Sequence, residues 1–97
     1  MLRHVVLFTW TEDTPAHTRE ATLAALRRLP EVVGGTSAFA VGPDAGLVPG
    51  NADAALVADF ADEESFRAYA TDPRHLEVIA EHVTPNLAHR TAVQYEV

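Results

Sequence analysis

Hydrophobic and β-branched residues concentrate in four short segments of the chain, a pattern that predicts four β-strands. The segment Leu2–Trp10 (LRHVVLFTW) combines β-branched and aromatic residues, which strands favour. The other three predicted strands are Val32–Val41, Ala54–Phe60 and Arg90–Val97. The pair Gly34–Gly35 falls inside the second of these strands, where it predicts a bulge or a bend.

The segment between the first two strands predicts an amphipathic helix from Thr14 to Leu29. Thr14 is the expected N-cap, and Pro15 is expected at the first helical position, where a backbone N–H is not needed. Pro30 marks the expected end of this helix. The buried face consists of leucines at a spacing of three residues: Leu23, Leu26 and Leu29.

Two further helices are predicted between the third and fourth strands. Asp62 is the expected N-cap of the first helix, and Asp72 that of the second, in which Pro73 takes the first helical position. Apolar residues recur at helical spacing in both segments. They are Phe66, Tyr69 and Ala70 in the first helix and Leu76, Ile79, Ala80 and Val83 in the second.

The order of the predicted elements is β-α-β-β-α-α-β. This is the order of a ferredoxin-like α+β domain, which has one four-stranded antiparallel sheet with its helices on one face. We expect residues 1–97 to form a single domain, because the chain has 97 residues and domains usually have 50–250. Segment 42–53 (GPDAGLVPGNAD) is rich in Gly and Pro and is expected to be a loop within it.

Both faces of the predicted sheet carry apolar side chains. In the first strand, His4, Val6 and Phe8 point to one face, which we assign to the helices. Val5 and Leu7 point to the other face. The helices of one chain cover only one face, and a large exposed apolar surface is unusual in a monomer. We therefore expect a homodimer in which two sheets pack together. A monomer with an apolar sheet is the alternative.

The composition narrows the possible partners and chemistry. The formal net charge is −7, with seven Arg and no Lys, so a basic patch for nucleic acid or for an anionic membrane surface is not expected. No segment approaches the ~20 apolar residues of a membrane helix, and no signal peptide is recognisable, so we expect a cytoplasmic protein. The absence of cysteine excludes disulfides and thiolate chemistry. The Arg-rich, Lys-free composition favours a bacterial source.

Several segments resemble the stress-responsive α/β-barrel (Dabb) domain family. They are RHVVLFTW at the start, ADFADEESFRAY and DPRH in the second half, and AVQYEV at the end. The resemblance covers essentially the whole chain. It implies a small ferredoxin-like domain that pairs through its sheet into a dimeric α/β barrel.

The resemblance also implies a candidate site. One plant member of the family closes a linear polyketide thioester without a metal or a cofactor. Tyr69 and His75 match its catalytic pair, and His4 matches its histidine on the first strand. Ala54 stands where that relative has a further pocket histidine, and the first helix has no aromatic residue where the relative has several, so the resemblance does not extend to the polyketide substrate itself.

Physical chemistry is consistent with these roles. His75 lies in the first turn of a predicted helix, where the helix dipole disfavours an imidazolium and favours the neutral ring that a general base needs. The neighbouring Asp72 carboxylate acts in the opposite direction, so the sequence leaves the direction of the net pKa shift open. The Tyr69 hydroxyl is placed to donate a hydrogen bond to a carbonyl or enolate oxygen. We expect His75 and Tyr69 to be catalytic. The remaining residues expected to bind the ligand are His4, Val6, Phe8, Leu56 and Arg90.

Other interpretations remain open at this stage. In one alternative, the histidines and Tyr69 stabilise the fold and bind no ligand. In another, Arg90 forms a salt bridge at the start of its strand. Three functions are compatible with the sequence: a cofactor-free polyketide cyclase-like or lyase-like enzyme whose ligand is a small carbonyl or acidic compound, a non-catalytic stress-responsive binding or structural module, and a cofactor-independent monooxygenase. No metal site and no cofactor are expected.

Overall fold

Four antiparallel strands form one sheet. They are β1 (Leu2–Trp10), β2 (Thr36–Pro43), β3 (Ala54–Phe60) and β4 (Leu87–Glu96), and their order across the sheet is β2-β3-β1-β4. The central strand β1 pairs with both β3 and β4. This computed structural model describes residues 1–97 and confirms the predicted ferredoxin-like fold.

Four helices connect the strands. They are α1 (Ala16–Arg27), α2 (Leu29–Val32), α3 (Glu63–Thr71) and α4 (Pro73–Val78); a π-helical turn (Ile79–Val83) and a 3-10 turn (Thr84–Asn86) follow α4. None of the helices has the length and the hydropathy that crossing a membrane requires.

The two aspartates predicted as N-caps do cap their helices. The Asp62 side chain accepts a hydrogen bond from the backbone N–H of Ser65, at 2.8 Å. Asp72 accepts one from the backbone N–H of Arg74, also at 2.8 Å. Each carboxylate satisfies a donor that the first turn of a helix leaves without a partner. Asp72 thereby fixes where α3 ends and α4 begins.

The predicted cap of the first helix is wrong. The hydroxyl of Thr14 bonds the hydroxyl of Thr11 instead, and Pro15 occupies the N-cap position without a side-chain bond. The predicted helix is also two helices, because α1 ends at Arg27 and α2 begins at Leu29. Pro30 lies in the first turn of α2, where a proline is tolerated, and so does not end the helical segment.

The bounds of the second and fourth strands differ from the prediction. Val32 ends α2, and β2 begins only at Thr36, so that the glycine pair precedes the strand. Gly35 has a φ of 103°, in the left-handed region that favours glycine, and turns the chain into β2. A register irregularity does occur, but between Thr36 and Ala38. β4 begins at Leu87, three residues earlier than predicted.

The hydrophobic core lies between the helices and one face of the sheet, which we call the inner face. His4, Val6 and Phe8 of β1 are buried on it, as are Leu56 and the other even-numbered residues of β3, which confirms the predicted face. Trp10 of β1 also belongs to the core, and the segments between the strands contribute its other buried residues. These are Leu23, Leu26, Leu29, Val33, Tyr69 and Val83.

The apolar face predicted for the last helix is only partly buried in the core. Val83 is buried and Ile79 is half-buried, but Leu76 and Ala80 are exposed. Leu76 lies within α4 and lines the cavity described below, which leaves it accessible. Ala80 lies in the π-helical turn that follows Val78, where the α-helical spacing no longer holds.

The opposite face of the sheet, which we call the outer face, has no helix over it. Its apolar side chains include Leu7, which is 39% exposed, and Val93, which is 54% exposed. At one end of this face the Arg3 guanidinium donates two hydrogen bonds to the Asp59 carboxylate, at 2.8 and 2.9 Å, across the pair β1–β3. The outer face is therefore mainly apolar, with one ion pair.

Candidate ligand-binding and active site

A cavity of about 480 Å³ lies between the inner face of the sheet and the helices. Thirteen of its seventeen lining residues are hydrophobic, and none is acidic. The cavity brings together every residue predicted from the sequence for the site. Those residues are His4, Val6, Phe8, Leu56, Tyr69, His75 and Arg90.

Tyr69 and His75 face each other across the junction of α3 and α4. Their ring centroids are 4.5 Å apart, and the ring planes are inclined at 45°. Tyr69 is 3% exposed and also packs against Phe60, with the ring centroids 5.1 Å apart. The core therefore fixes the tyrosine ring, and the tight turn at Asp72 brings the histidine to it.

His75 has one ring nitrogen closed off and one that a ligand can reach. Its Nδ1 is buried and has no hydrogen-bond partner, the only such side-chain nitrogen or oxygen atom in the chain. Because Nδ1 is closed off, Nε2 is the nitrogen through which His75 meets a ligand. Burial lowers the pKa of His75, as does the Arg90 charge; the approach of the ring to the Ala70 backbone carbonyl, although it is not a well-formed hydrogen bond, and the charge of Asp72 partly oppose the shift. The ring is thus neutral near pH 7.

Tyr69 is a hydrogen-bond donor throughout the physiological range of pH. Burial raises the pKa of its hydroxyl to about 12. The phenol therefore keeps its proton beside the neutral His75 ring. Tyr69 and His75 both line the cavity, so its wall includes a protonated phenol residue and a neutral histidine.

His4 is held by the sheet. Gln94 lies opposite His4 in the register of β1 and β4, and the Gln94 Nε2 amide donates a hydrogen bond to His4 Nδ1 at 2.8 Å. His4 also packs against the ring of Phe66, with the centroids 4.9 Å apart. Burial lowers the pKa of His4 to about 4, with smaller contributions from Arg90 and His75. The ring is neutral, with its proton on Nε2.

Arg90 projects from β4 on the inner face, where it lies opposite Phe8 in the register. It forms no salt bridge, so the interpretation of Arg90 as a structural ion pair is wrong. It is the one cationic residue that lines the cavity. Its charge lowers the pKa of both His4 and His75.

Gln94 and Phe66 were not predicted for the site. Gln94 shares the parity of Arg90 along β4, a signal that was available in the sequence and would have placed it on the inner face. Phe66 was predicted on the inner face of α3, but only as a core residue. No three side chains of His, Asp or Glu gather anywhere in the chain in a way that could hold a metal ion.

Comparison with known proteins identifies the family. Residues 2–97 match the profile of the family described as Stress responsive A/B Barrel Domain, abbreviated Dabb. The chain belongs to the Dabb family. No curated protein matches its sequence.

Solved structures of the same fold include a dimeric ferredoxin-like protein of unknown function from Thermobifida fusca YX. It is 38% identical, with a TM-score of 0.89, over 99% of this chain and 90% of that one. A Dabb family protein from Mesorhizobium loti is 18% identical, with a TM-score of 0.84, over 99% and 95% of the two chains. The hydroxynitrile lyase from Passiflora edulis is 17% identical, with a TM-score of 0.85, over 99% and 92%. The last two similarities concern the fold.

The site of this Dabb protein combines three groups around one apolar chamber. His75 offers a neutral proton acceptor, Tyr69 a neutral donor, and Arg90 a fixed positive charge. A carbonyl oxygen that gains negative charge needs a donor or a cation, while the adjacent carbon needs a base. The arrangement therefore has the parts required for removing a proton next to a carbonyl group.

Proposed function

We propose that this Dabb protein binds a small carbonyl compound in the cavity and removes a proton from the carbon beside the carbonyl group, as a cyclase or lyase does. The observation that carries the proposal is the Tyr69–His75 pair, whose ring centroids are 4.5 Å apart on the cavity wall. His75 Nδ1 is buried and forms no hydrogen bond with the rest of the protein. A histidine with a purely structural role is expected to be hydrogen-bonded when it is buried.

The proposed step uses only the protein's own side chains. His75 Nε2 takes the proton from the carbon, and the electron pair of the C–H bond moves to form the C=C bond of an enolate. The carbonyl oxygen receives the negative charge, and the Tyr69 hydroxyl donates a hydrogen bond to it. His4, which Gln94 holds in place, donates through Nε2–H and positions the ligand.

Two features of the environment support this assignment. The apolar lining lowers the local dielectric, which strengthens the interaction between the Tyr69 hydroxyl and a developing oxyanion. The lowered pKa of His75 keeps the acceptor form available near pH 7. The fold also carries a lyase in Passiflora edulis, according to the name of that protein; for this chain a lyase activity is part of the proposal.

Hydrogen–deuterium exchange tests the proposed step without knowledge of the natural substrate. Phenylacetone has an apolar ring and acidic protons beside its carbonyl group, and their exchange in D₂O is followed by NMR. We expect the protein to accelerate the exchange above the buffer rate and His75→Gln to lower that acceleration by about 100-fold or more. An exchange rate equal to that of buffer, or equal rates for both proteins, contradicts the proposal.

Ligand binding without chemistry is the second candidate. It is favoured by the hydrophobic majority of the lining residues, since an apolar cavity binds small molecules whether or not they react. Native mass spectrometry of gently purified protein, followed by the same sample under denaturing conditions, tests this candidate. An added mass that is lost on denaturation, together with no exchange activity on that compound, identifies a binding protein.

We also propose that two copies pair through their outer faces. Leu7, Val93 and Tyr95 are between 39% and 54% exposed on this face, although all are large hydrophobic residues. Apolar faces of this kind are typical of subunit interfaces. The Thermobifida fusca relative is described as dimeric, which supports the same assembly here.

A further inference from the structure

The charges around the cavity are distributed unlike those of the chain as a whole. The protein carries fourteen acidic residues and a formal net charge of −7. The cavity is lined by no acidic residue and by one cation, Arg90. The lining therefore has one formal positive charge, on the solvent-exposed Arg90 at the cavity wall, in a protein that is negatively charged as a whole.

Most arginines of the chain have an acidic partner, and Arg90 does not. Five of the seven form salt bridges: Arg3, Arg19, Arg27, Arg67 and Arg74. Arg28 is the other arginine without one, and it caps the end of α1 and does not line the cavity. Arg90 is thus the only unpaired guanidinium that a ligand in the cavity can reach.

We propose that the ligand of this cavity is a monoanion with an apolar body, namely an alkyl or aryl carboxylate whose charged end binds Arg90. This proposal names the substrate class of the proposed function and rests on it for the location of the site. The planar guanidinium matches the two oxygens of a carboxylate through parallel hydrogen bonds. The body of the ligand lies against Leu26, Leu29, Leu56, Ile79 and Val83, which line the cavity.

The cavity wall contains a single cation, Arg90, which limits the charge of the ligand to one. The two histidines are neutral near pH 7, and Tyr69 keeps its proton, so none of them offsets a second negative charge. A dianion such as a phosphate monoester would bury one charge without a partner, which is costly in an apolar cavity. One carboxylate and one guanidinium leave no uncompensated charge.

Matched probes test the proposal by isothermal titration. 4-Phenylbutyrate and 4-phenylbutyramide have the same shape and differ in charge. We expect the carboxylate to bind the wild-type protein at least about 10-fold more tightly than the amide, because hydrogen bonds to charged groups are stronger than neutral ones. We expect Arg90→Gln to abolish that difference by weakening the carboxylate alone, and Arg90→Lys to retain part of it.

The control is Arg28→Gln, which removes the same charge outside the cavity and is expected to leave both affinities unchanged. Equal affinity of the wild type for the two probes overturns the proposal, as does an unchanged carboxylate affinity in Arg90→Gln. Binding of neither probe at millimolar concentration also overturns it. Carboxylate selectivity without any exchange activity supports this proposal and contradicts the proton-transfer step, so the two failures are distinguishable.

Discussion

The rings of Tyr69 and His75 lie 4.5 Å apart although the two residues belong to different helices. The geometry follows from Asp72, which caps α4 and forces the chain to turn between them. Phe60 fixes the tyrosine from the sheet side. The histidine, in contrast, has a buried nitrogen with no hydrogen bond. The tyrosine ring is thus packed against the core, whereas no hydrogen bond holds His75 Nδ1.

Replacement of His75 is expected to cost little stability. In His75→Leu a buried nitrogen without a partner is replaced by carbon, so we expect the free energy of unfolding to change by less than about 1 kcal/mol or to rise. Urea unfolding at pH 7 measures it. Leu23→Ala in the core is the control, with an expected loss of about 2–5 kcal/mol. A loss of similar size for His75→Leu would show that His75 holds the fold.

Stability is expected to fall as the pH decreases from about 6.5 to about 4. The pKa of His4 is about 4 in the folded protein, against about 6.5 in the unfolded chain. Between these values the unfolded chain binds more protons, so the stability that is fully present above pH 6.5 decreases, by about 3 kcal/mol at pH 4 for this residue. The lowered pKa of His75 acts in the same direction.

His4→Gln isolates that contribution, because the amide cannot titrate. Urea unfolding at pH 7, 5.5 and 4.5, at one protein concentration, compares the variant with the wild type. We expect a flatter pH dependence in the variant. The same slope in both proteins would exclude His4 as its source. Below about pH 4, protonation of Asp59, Asp62 and Asp72, whose pKa values are lowered, destabilises both proteins.

The exchange reaction is expected to show the titration of a base and not that of a phenol. Because the pKa of His75 lies below its usual value of about 6.5, the plateau of the exchange rate extends somewhat below pH 6.5. The rate decreases only when the pH falls further. No change is expected up to about pH 10, since the pKa of Tyr69 is about 12. Tyr69→Phe is expected to lower the plateau about 10- to 1,000-fold and keep the acid limb. A profile that rises with pH throughout would point to hydroxide rather than His75.

A charge on the outer face is expected to prevent pairing of the protomers. Val93→Asp puts two carboxylates into the proposed interface, where desolvation and repulsion cost several kcal/mol. Native mass spectrometry at micromolar concentration is expected to show a monomer. Val32→Asp is the matched control, because Val32 is also exposed but lies on α2. A dimeric Val93→Asp variant would exclude this face as the interface.

The sequence pattern is sufficient where one local rule acts alone. The bounds of β1 and β3 were predicted to the residue, because each is a strand-forming segment rich in apolar residues between clear breaks. Asp62 and Asp72 were identified as caps because each precedes a helical segment that offers no competing cap. The prediction failed where two rules compete. Pro30 breaks a helix in its interior but is favoured in the first turn of a helix. The sequence alone does not say which effect applies, and in the folded protein Pro30 lies in the first turn of the short helix α2.

The candidate site was partly within reach of the sequence. Strand parity placed His4, Val6 and Phe8 on the inner face, and helical spacing placed Tyr69 beside them. The bond between Gln94 and His4 depends on the register of two strands ninety residues apart in the chain, which no local pattern specifies. The lack of a partner for Arg90 is likewise a property of the whole fold, since it requires every acidic residue to lie elsewhere.

Strand β4 serves two surfaces at once. Its residues Arg90 and Gln94 form a wall of the cavity, while Val93, between them in the same strand, is exposed on the outer face. β4 is an edge strand, paired only with β1, so the proposed association of two copies on one side is expected to stabilise the cavity wall on the other. On the two proposals together, assembly and ligand affinity are expected to be thermodynamically linked. Dilution that separates the protomers is expected to weaken ligand binding. A bound ligand is expected to strengthen the association of the protomers.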